Sequence, residues 1–481
     1  MTRHYQLEAV FLPQGWARDV LVSVADDGHI SAITGAPGTT TGPAMVPDSA
    51  ATTASASISG FAPVERIAGF VVPGMANAHS HAFQRGMAGG AEYRLSARDS
   101  FWTWRNAMYA LANRITPDDL KIIATQLFIE MLKSGYTSVA EFHYLHRRPD
   151  GDLYPPGSGL WDAICDAAAA TGIALTLLPT LYQTSDFAAR PLRSDQARFA
   201  LETDGFIRAV EERAGRERRA ASATLRTGAA FHSLRAVPLP VLEMATRTLR
   251  QIDAALPLHI HVAEQTQEVE SCKAHTGKRP VELLADTGLL DAHWCLVHAT
   301  HTTPAELQRI AASGASVCVS ITTEANLGDG FFDTPRFLKS GGRLCVGSDS
   351  QSTVSPAEEL RWLEYQQRLK KRRRVVLADK LEPHVGSRLW REAARDGAQA
   401  IGQPAGALAV GLRADWLVLD RTHPSMAGVS AETSLDHLVF AGGDAAIRDV
   451  MVAGRWVVKD GHHGAELPLR SQFSDLMARL A

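Results

Sequence analysis

The chain has 481 residues, enough for a large barrel plus a smaller module rather than one ordinary domain. Its 49 Lys and Arg against 52 Asp and Glu give a net charge of −3, which removes the electrostatic reason to expect nucleic acid or an anionic membrane as partner. Five cysteines without a Cys-x-x-Cys pair, a start lacking the apolar run of a secretion signal, and no segment of membrane-spanning character point to a cytoplasmic protein with free thiols.

In chain order, short alternating runs from residue 5 to 33 are read as strands, with Asp26-Asp27-Gly28 as a hairpin turn. Residues 35–60 are Gly, Pro, Ala, Ser and Thr without apolar period, the composition of a mobile loop. From about Phe70 apolar strands alternate with helical patterns. Examples are 118–133 before Thr137-Ser138-Val139-Ala140-Glu141, and 157–171 before the run 173–178. Repeated units of this kind favour a closed parallel sheet. The basic run Lys370-Lys371-Arg372-Arg373-Arg374 follows a polar helical stretch and is read as a solvated helix end. Near residue 405 strands return, at 414–420, 449–452 and 455–458, so both chain ends are strand-rich.

The chemistry sits at strand ends. An apolar run from Val71 passes through Pro73-Gly74 and ends in His79-Ser80-His81. Side chains two apart on a strand share a face, so His79 and His81 can converge on one cation while Ser80 turns away. A second His-x-His, His259-Ile260-His261, ends another apolar strand with Glu264 three residues on; His298 ends a third and Asp349 a fourth. Four strands that each place an ionisable group at the C-terminal end form the layout of a (β/α)8 TIM-like barrel, whose catalytic groups gather at that face. His259 lies deeper in its strand and is read as a buried, hydrogen-bonded histidine. The segment Thr322-Thr323-Glu324-Ala325-Asn326-Leu327-Gly328-Asp329-Gly330 reads as an active-site loop.

Nearly the whole chain resembles the amidohydrolase superfamily, and within it the mononuclear-metal deaminase branch. The likeness rests on residues 77–86 (Asn-Ala-His-Ser-His-Ala-Phe-Gln-Arg-Gly), Trp102-Thr103-Trp104-Arg105, Glu141-Phe142-His143-Tyr144, Phe231-His232-Ser233-Leu234-Arg235 and the 322–330 loop. The resemblance implies an α/β fold, with the barrel over 70–404 and a small β-sandwich built from 1–69 and 405–481. It implies one divalent metal on His79, His81, His261 and Asp349, with zinc the default and iron allowed by ligand type. Glu264 and His298 would handle protons, with Asp349 accepting a hydrogen bond from the attacking water. No lysine stands at a matching strand end to bridge a second metal.

The same blocks are similar to members that deiminate N-formimino-L-glutamate in histidine breakdown. A dicarboxylate substrate calls for guanidinium donors, expected from Arg105 and Arg235, with Gln84, Tyr144 and His232 beside them. Deimination of formiminoaspartate or a guanidino acid stays open, as does a nucleobase or triazine deaminase, which would have no use for the arginines. A non-catalytic relative would be expected to lack some ligands. A homodimer is the expected assembly.

Overall fold

The computed structural model describes residues 2–35, 63–92, 101–155 and 159–480, and the loop expected at 35–60 lies, but for Gly35, outside them. Thr116 and Asp119 exchange side-chain and backbone hydrogen bonds at 2.9 and 3.2 Å, a capping box that opens the helix Pro117–Ser134 with proline in its first turn. Gly135, with φ 106°, ends that helix in the left-handed region and turns the chain into the strand Tyr136–His143.

Strand-helix units repeat around a parallel sheet. Its strands are, in order, Met75–Ser80, Tyr136–His143, Ala174–Leu181, Ala229–Ser233, Leu258–Val262, Trp294–His298, Ser316–Val319 and Arg343–Val346. The last returns to the first: the Asp349 N–H donates to the His79 carbonyl at 3.0 Å, and the His81 N–H donates to the Asp349 carbonyl at 3.1 Å. This closes the barrel, as the strand pattern predicts. Gly347 permits the approach, since a Cβ there would stand 2.7 Å from the His79 oxygen.

The run from Val71 to His81 proves to be two strands. Val64–Pro73 lies in the terminal sheet, parallel to Arg3–Leu12 and antiparallel to Trp416–Leu419. The Gly74 N–H still donates to Asp415, but that of Met75 donates to Gly135, so the chain changes sheets between them. Both chain ends form one eight-stranded sheet, ordered His462–His463, Arg455–Lys459, Ile447–Val452, Trp416–Leu419, Val64–Pro73, Arg3–Leu12, Gly15–Val24 and Ile30–Thr34. Side chains alternate along it. Leu7, Val10, Val20, Val22, Trp416 and Val418 enclose a core of their own, while Ala9, Phe11, Phe70, Val72, Leu417 and Leu419 join the core of the barrel. The helix Pro356–Lys371 runs into the basic stretch 370–374, which is exposed. Among the described residues no helix is long and apolar enough to cross a membrane.

Candidate active site

His79, His81, His261 and Asp349 meet at the C-terminal end of the barrel, each offering one donor atom within 4.8 Å of the others. Asp349 Oδ1 stands 3.4 Å from Nε2 of both His79 and His81, and His261 Nε2 is 3.1 Å from His79 Nε2. Backbone carbonyls set two of the rings. His81 Nδ1 donates to Phe142 O and His261 Nδ1 to His232 O, both at 2.8 Å, which leaves each Nε2 with its lone pair inward. Burial pushes His81 down to about 3 and lowers His79 and His261, so all three imidazoles are neutral, as metal ligation requires. Burial raises the Asp349 carboxyl, but the rings of His79, His81 and His298 against it outweigh that effect and hold the group well below the carboxylate range. His79 Nε2 and His261 Nε2 lie 3.1 Å apart in dry surroundings, close enough for one cation to take a lone pair from each. Three nitrogens and one carboxylate oxygen therefore fit a single divalent cation with an open position.

Glu264 and His298 adjoin this quartet. His298 Nε2 is 3.8 Å from Glu264 Oε1 and 3.7 Å from Asp349 Oδ2, and its Nδ1 is 3.2 Å from Glu324 Oε1. Burial pushes Glu264 up to about 7 against the pull of His298. Burial lowers His298, but Glu264 and Glu324 overcome it and raise the ring to about 10. Glu268 accepts the N–H groups of Ala263 and Glu264 at 3.1 and 3.0 Å, fixing the turn that carries Glu264. Ala263, His298, Ala299, Asp349 and Gln351 have φ between 46° and 68°, a left-handed conformation that costs non-glycine residues roughly 1–2 kcal/mol each. These five, among twelve such residues described, lie where the site needs its side chains aimed.

One cavity of about 430 Å³ brings the sequence-predicted residues together, with His79 alone lying behind its wall. Gln84 donates to the Tyr144 hydroxyl at 2.9 Å along one side, and the His232 ring stands 5.0 Å from that of His261. At the outer end Arg235 Nη1 donates to the Tyr182 hydroxyl at 3.1 Å and to the Ser185 carbonyl at 3.2 Å. The guanidinium groups of Arg105 and Arg193 lie 5.5 and 5.6 Å from the Tyr109 ring centre. Gln196 Nε2 donates to both phenols, at 3.0 Å to Tyr182 and 3.3 Å to Tyr109. His259 is fully buried with Nε2 donating to Ala400 O at 2.9 Å, the structural histidine its depth predicts.

The profile of the amidohydrolase family matches residues 70–457. The chain belongs to the amidohydrolase family. A formimidoylglutamate deiminase from Pseudomonas aeruginosa is 46% identical over 474 residues, which is 98% of each chain. The crystal structure of an amidohydrolase from Brucella melitensis superposes with a TM-score of 0.87 at 38% identity, covering 99% of both chains. An adenosine deaminase from Xanthomonas campestris, solved with bound zinc, shares the fold at a TM-score of 0.76 and 20% identity, over 99% of this chain and 98% of that one.

In this amidohydrolase several site residues carried too weak a sequence signal to be singled out. Tyr182 stands one residue past the strand Ala174–Leu181, a position that could have marked it. Glu324, the partner of His298, lies in the segment read as a loop, which the structure instead begins with the helix Ile321–Leu327, and only the fold shows which residue it serves. Tyr109 and Arg193 come from a helix and an irregular segment and have no spacing that points to a site.

Proposed function

We propose that this amidohydrolase hydrolyses N-formimino-L-glutamate to N-formyl-L-glutamate and ammonia, a step of histidine degradation. The observation that carries the reading is that one cavity holds the four-ligand cluster with its carboxylates and, beyond the rings of His232 and Tyr182, the guanidinium groups of Arg105 and Arg235, while Arg193 is already paired with Asp195. An amidine is a strong base and enters as a cation, which suits the acidic end, while its two carboxylates need guanidinium donors. The relative called formimidoylglutamate deiminase supports the same substrate.

A divalent cation, zinc or iron, held by His79, His81, His261 and Asp349 supplies the Lewis acidity that makes hydroxide available from water near neutral pH. Glu264 carries the proton. It accepts one from the attacking water and delivers it to the terminal amidine nitrogen, so that a C–O bond forms, the C–N bond breaks and ammonia leaves rather than an amide anion. Asp349 Oδ2, on the side of the carboxylate away from His79 and His81, accepts a hydrogen bond from the same water. His298, held between Glu264 and Asp349 with Glu324 behind it, steadies the charge that develops on oxygen. Arg235 and Arg105 hold the carboxylates, with Gln84, Tyr144 and His232 along the wall between.

The deciding experiment is ammonia release by the purified protein, with kcat/KM compared across N-formimino-L-glutamate, formiminoaspartate and a guanidino acid. A higher value for either of the last two reassigns the substrate. Faster turnover of a nucleobase or triazine than of any acidic amidine sinks the reading. A cytoplasmic homodimer is part of the same proposal: five unpaired cysteines support a reducing compartment, and sedimentation equilibrium reads the subunit count.

A further inference from the structure

Next to the quartet stands a second group of donors. Glu264, His298 and Asp329 each place one ligand-capable atom within 4.8 Å of the others. His298 turns Nε2 into the group because Nδ1 is taken by Glu324. Asp329 is 5% exposed; Gln265 Nε2 donates to its Oδ1, while its buried Oδ2 finds no partner among the described residues. This dry oxygen has no donor, and a cation that displaces the protons held on the neighbouring carboxylate and imidazole would satisfy it. Asp349 spans both groups, with Oδ1 toward His79 and His81 and Oδ2 toward His298.

We propose that Glu264, His298 and Asp329 form a second divalent-cation site, sharing the Asp349 carboxylate with the first, and that filling it inhibits the enzyme. Two carboxylates and an imidazole suit zinc, a borderline-soft cation. The inhibition has a direct cause. A Glu264 oxygen that ligates a cation can no longer carry a proton, and the ion occupies the acidic end of the cavity where a cationic amidine would sit. Zinc beyond one equivalent therefore competes with substrate. Asp329 has no part in the proposed reaction, so it is the residue that separates the inhibitory site from the catalytic one.

The test titrates protein holding one equivalent of zinc with further Zn2+, counting bound metal by elemental analysis and following activity in parallel. The wild type is expected to take up a second equivalent and to lose activity over the same range, with inhibition relieved by substrate. Asp329→Asn is expected to weaken the second equivalent at least about tenfold while leaving the first in place and kcat unchanged. Crystals of the wild type grown in excess zinc give an answer that does not depend on the variant folding: an anomalous peak among Glu264, His298 and Asp329. A stoichiometry that stays at one, a variant inhibited like the wild type, or the lack of that peak overturns the proposal. Stoichiometry and peak need no turnover, so failure of the formiminoglutamate reading is seen separately, as no ammonia released.

Discussion

At the inner end of the cavity the reacting groups are tied to the barrel backbone, whereas at the outer end the guanidinium groups are held mainly by other side chains. His81, His261 and the turn carrying Glu264 are positioned through Phe142 O, His232 O and the Glu268 carboxylate, and Asp349 is part of the barrel closure itself. Arg235 and Arg105 rest on Tyr182 and Tyr109, which one amide, Gln196, links, and Arg193 beside Tyr109 is paired with Asp195. The proton transfer and metal ligation proposed for this end tolerate little misplacement, which a rigid closed sheet suits. Charge recognition tolerates more and is placed on helix and connecting segments, where it can change without disturbing the chemistry.

The contrast predicts complete loss of turnover at one end and graded loss at the other. Chelation of the metal, His79→Ala or Asp349→Ala should abolish ammonia release and metal occupancy together, with zinc or iron restoring the chelated wild type. Full activity in protein shown by elemental analysis to hold no metal would end the mechanism. Normal occupancy in both variants would mean that the ligands are wrongly assigned.

Next in size, Glu264→Gln keeps shape and hydrogen bonding but cannot carry a proton, and should lower kcat by ~10²–10⁴-fold with metal content unchanged. A variant retaining more than about a tenth of kcat, outside that range, would make Glu264 a bystander and move the proton role to His298.

At the outer end, Arg235→Met should cost about 2–5 kcal/mol in kcat/KM, roughly 30-fold to several thousand-fold, because it removes a buried partner of a carboxylate. Arg105→Met should cost less, since this guanidinium is less deeply placed. Metal content should not move in either. If both variants keep wild-type kcat/KM, the outer end does not read carboxylates and the nucleobase alternative returns.

A separate effect is on stability. Burial raises Glu141 and Glu359, which stand behind the inner end, to about 8 from an ordinary 4.5. Between those values the folded chain keeps protons that the unfolded chain has shed, so stability falls as pH rises from about 4.5 to about 8 and levels off above. Glu359→Gln removes one such group; its Tm should exceed that of the wild type at pH 8 by more than at pH 5. Thermal unfolding at the two pH values checks this, and an equal difference at both contradicts it.

Much of the inner end could be read without coordinates. His79 and His81 alternate on one strand, His261 and Glu264 follow another, and His298 and Asp349 end two more, each a local pattern that names its own residues. The outer end was legible only through likeness to a family. Arg105 sits on a helix and Arg235 in a loop, and nothing in their spacing requires a shared cavity; Tyr182, Tyr109 and Arg193 were not singled out for the same reason. The division at Pro73-Gly74 was also hidden, because an apolar run looks the same whether it serves one sheet or two.

What the sequence determined by itself was therefore periodicity and its consequences: parallel strands alternating with helices, strand-rich ends, and donor residues at strand termini. Tertiary structure decided the partnerships. Asp349 meets His79 only because the last strand closes on the first across Gly347, and His298 finds Glu324 and Asp329 only because the helix Ile321–Leu327 and the turn after it fold over its strand. Spacing along the chain constrains direction within one element. Which elements face each other depends on closure and packing of the whole barrel, where burial selects the arrangement that satisfies the most polar groups.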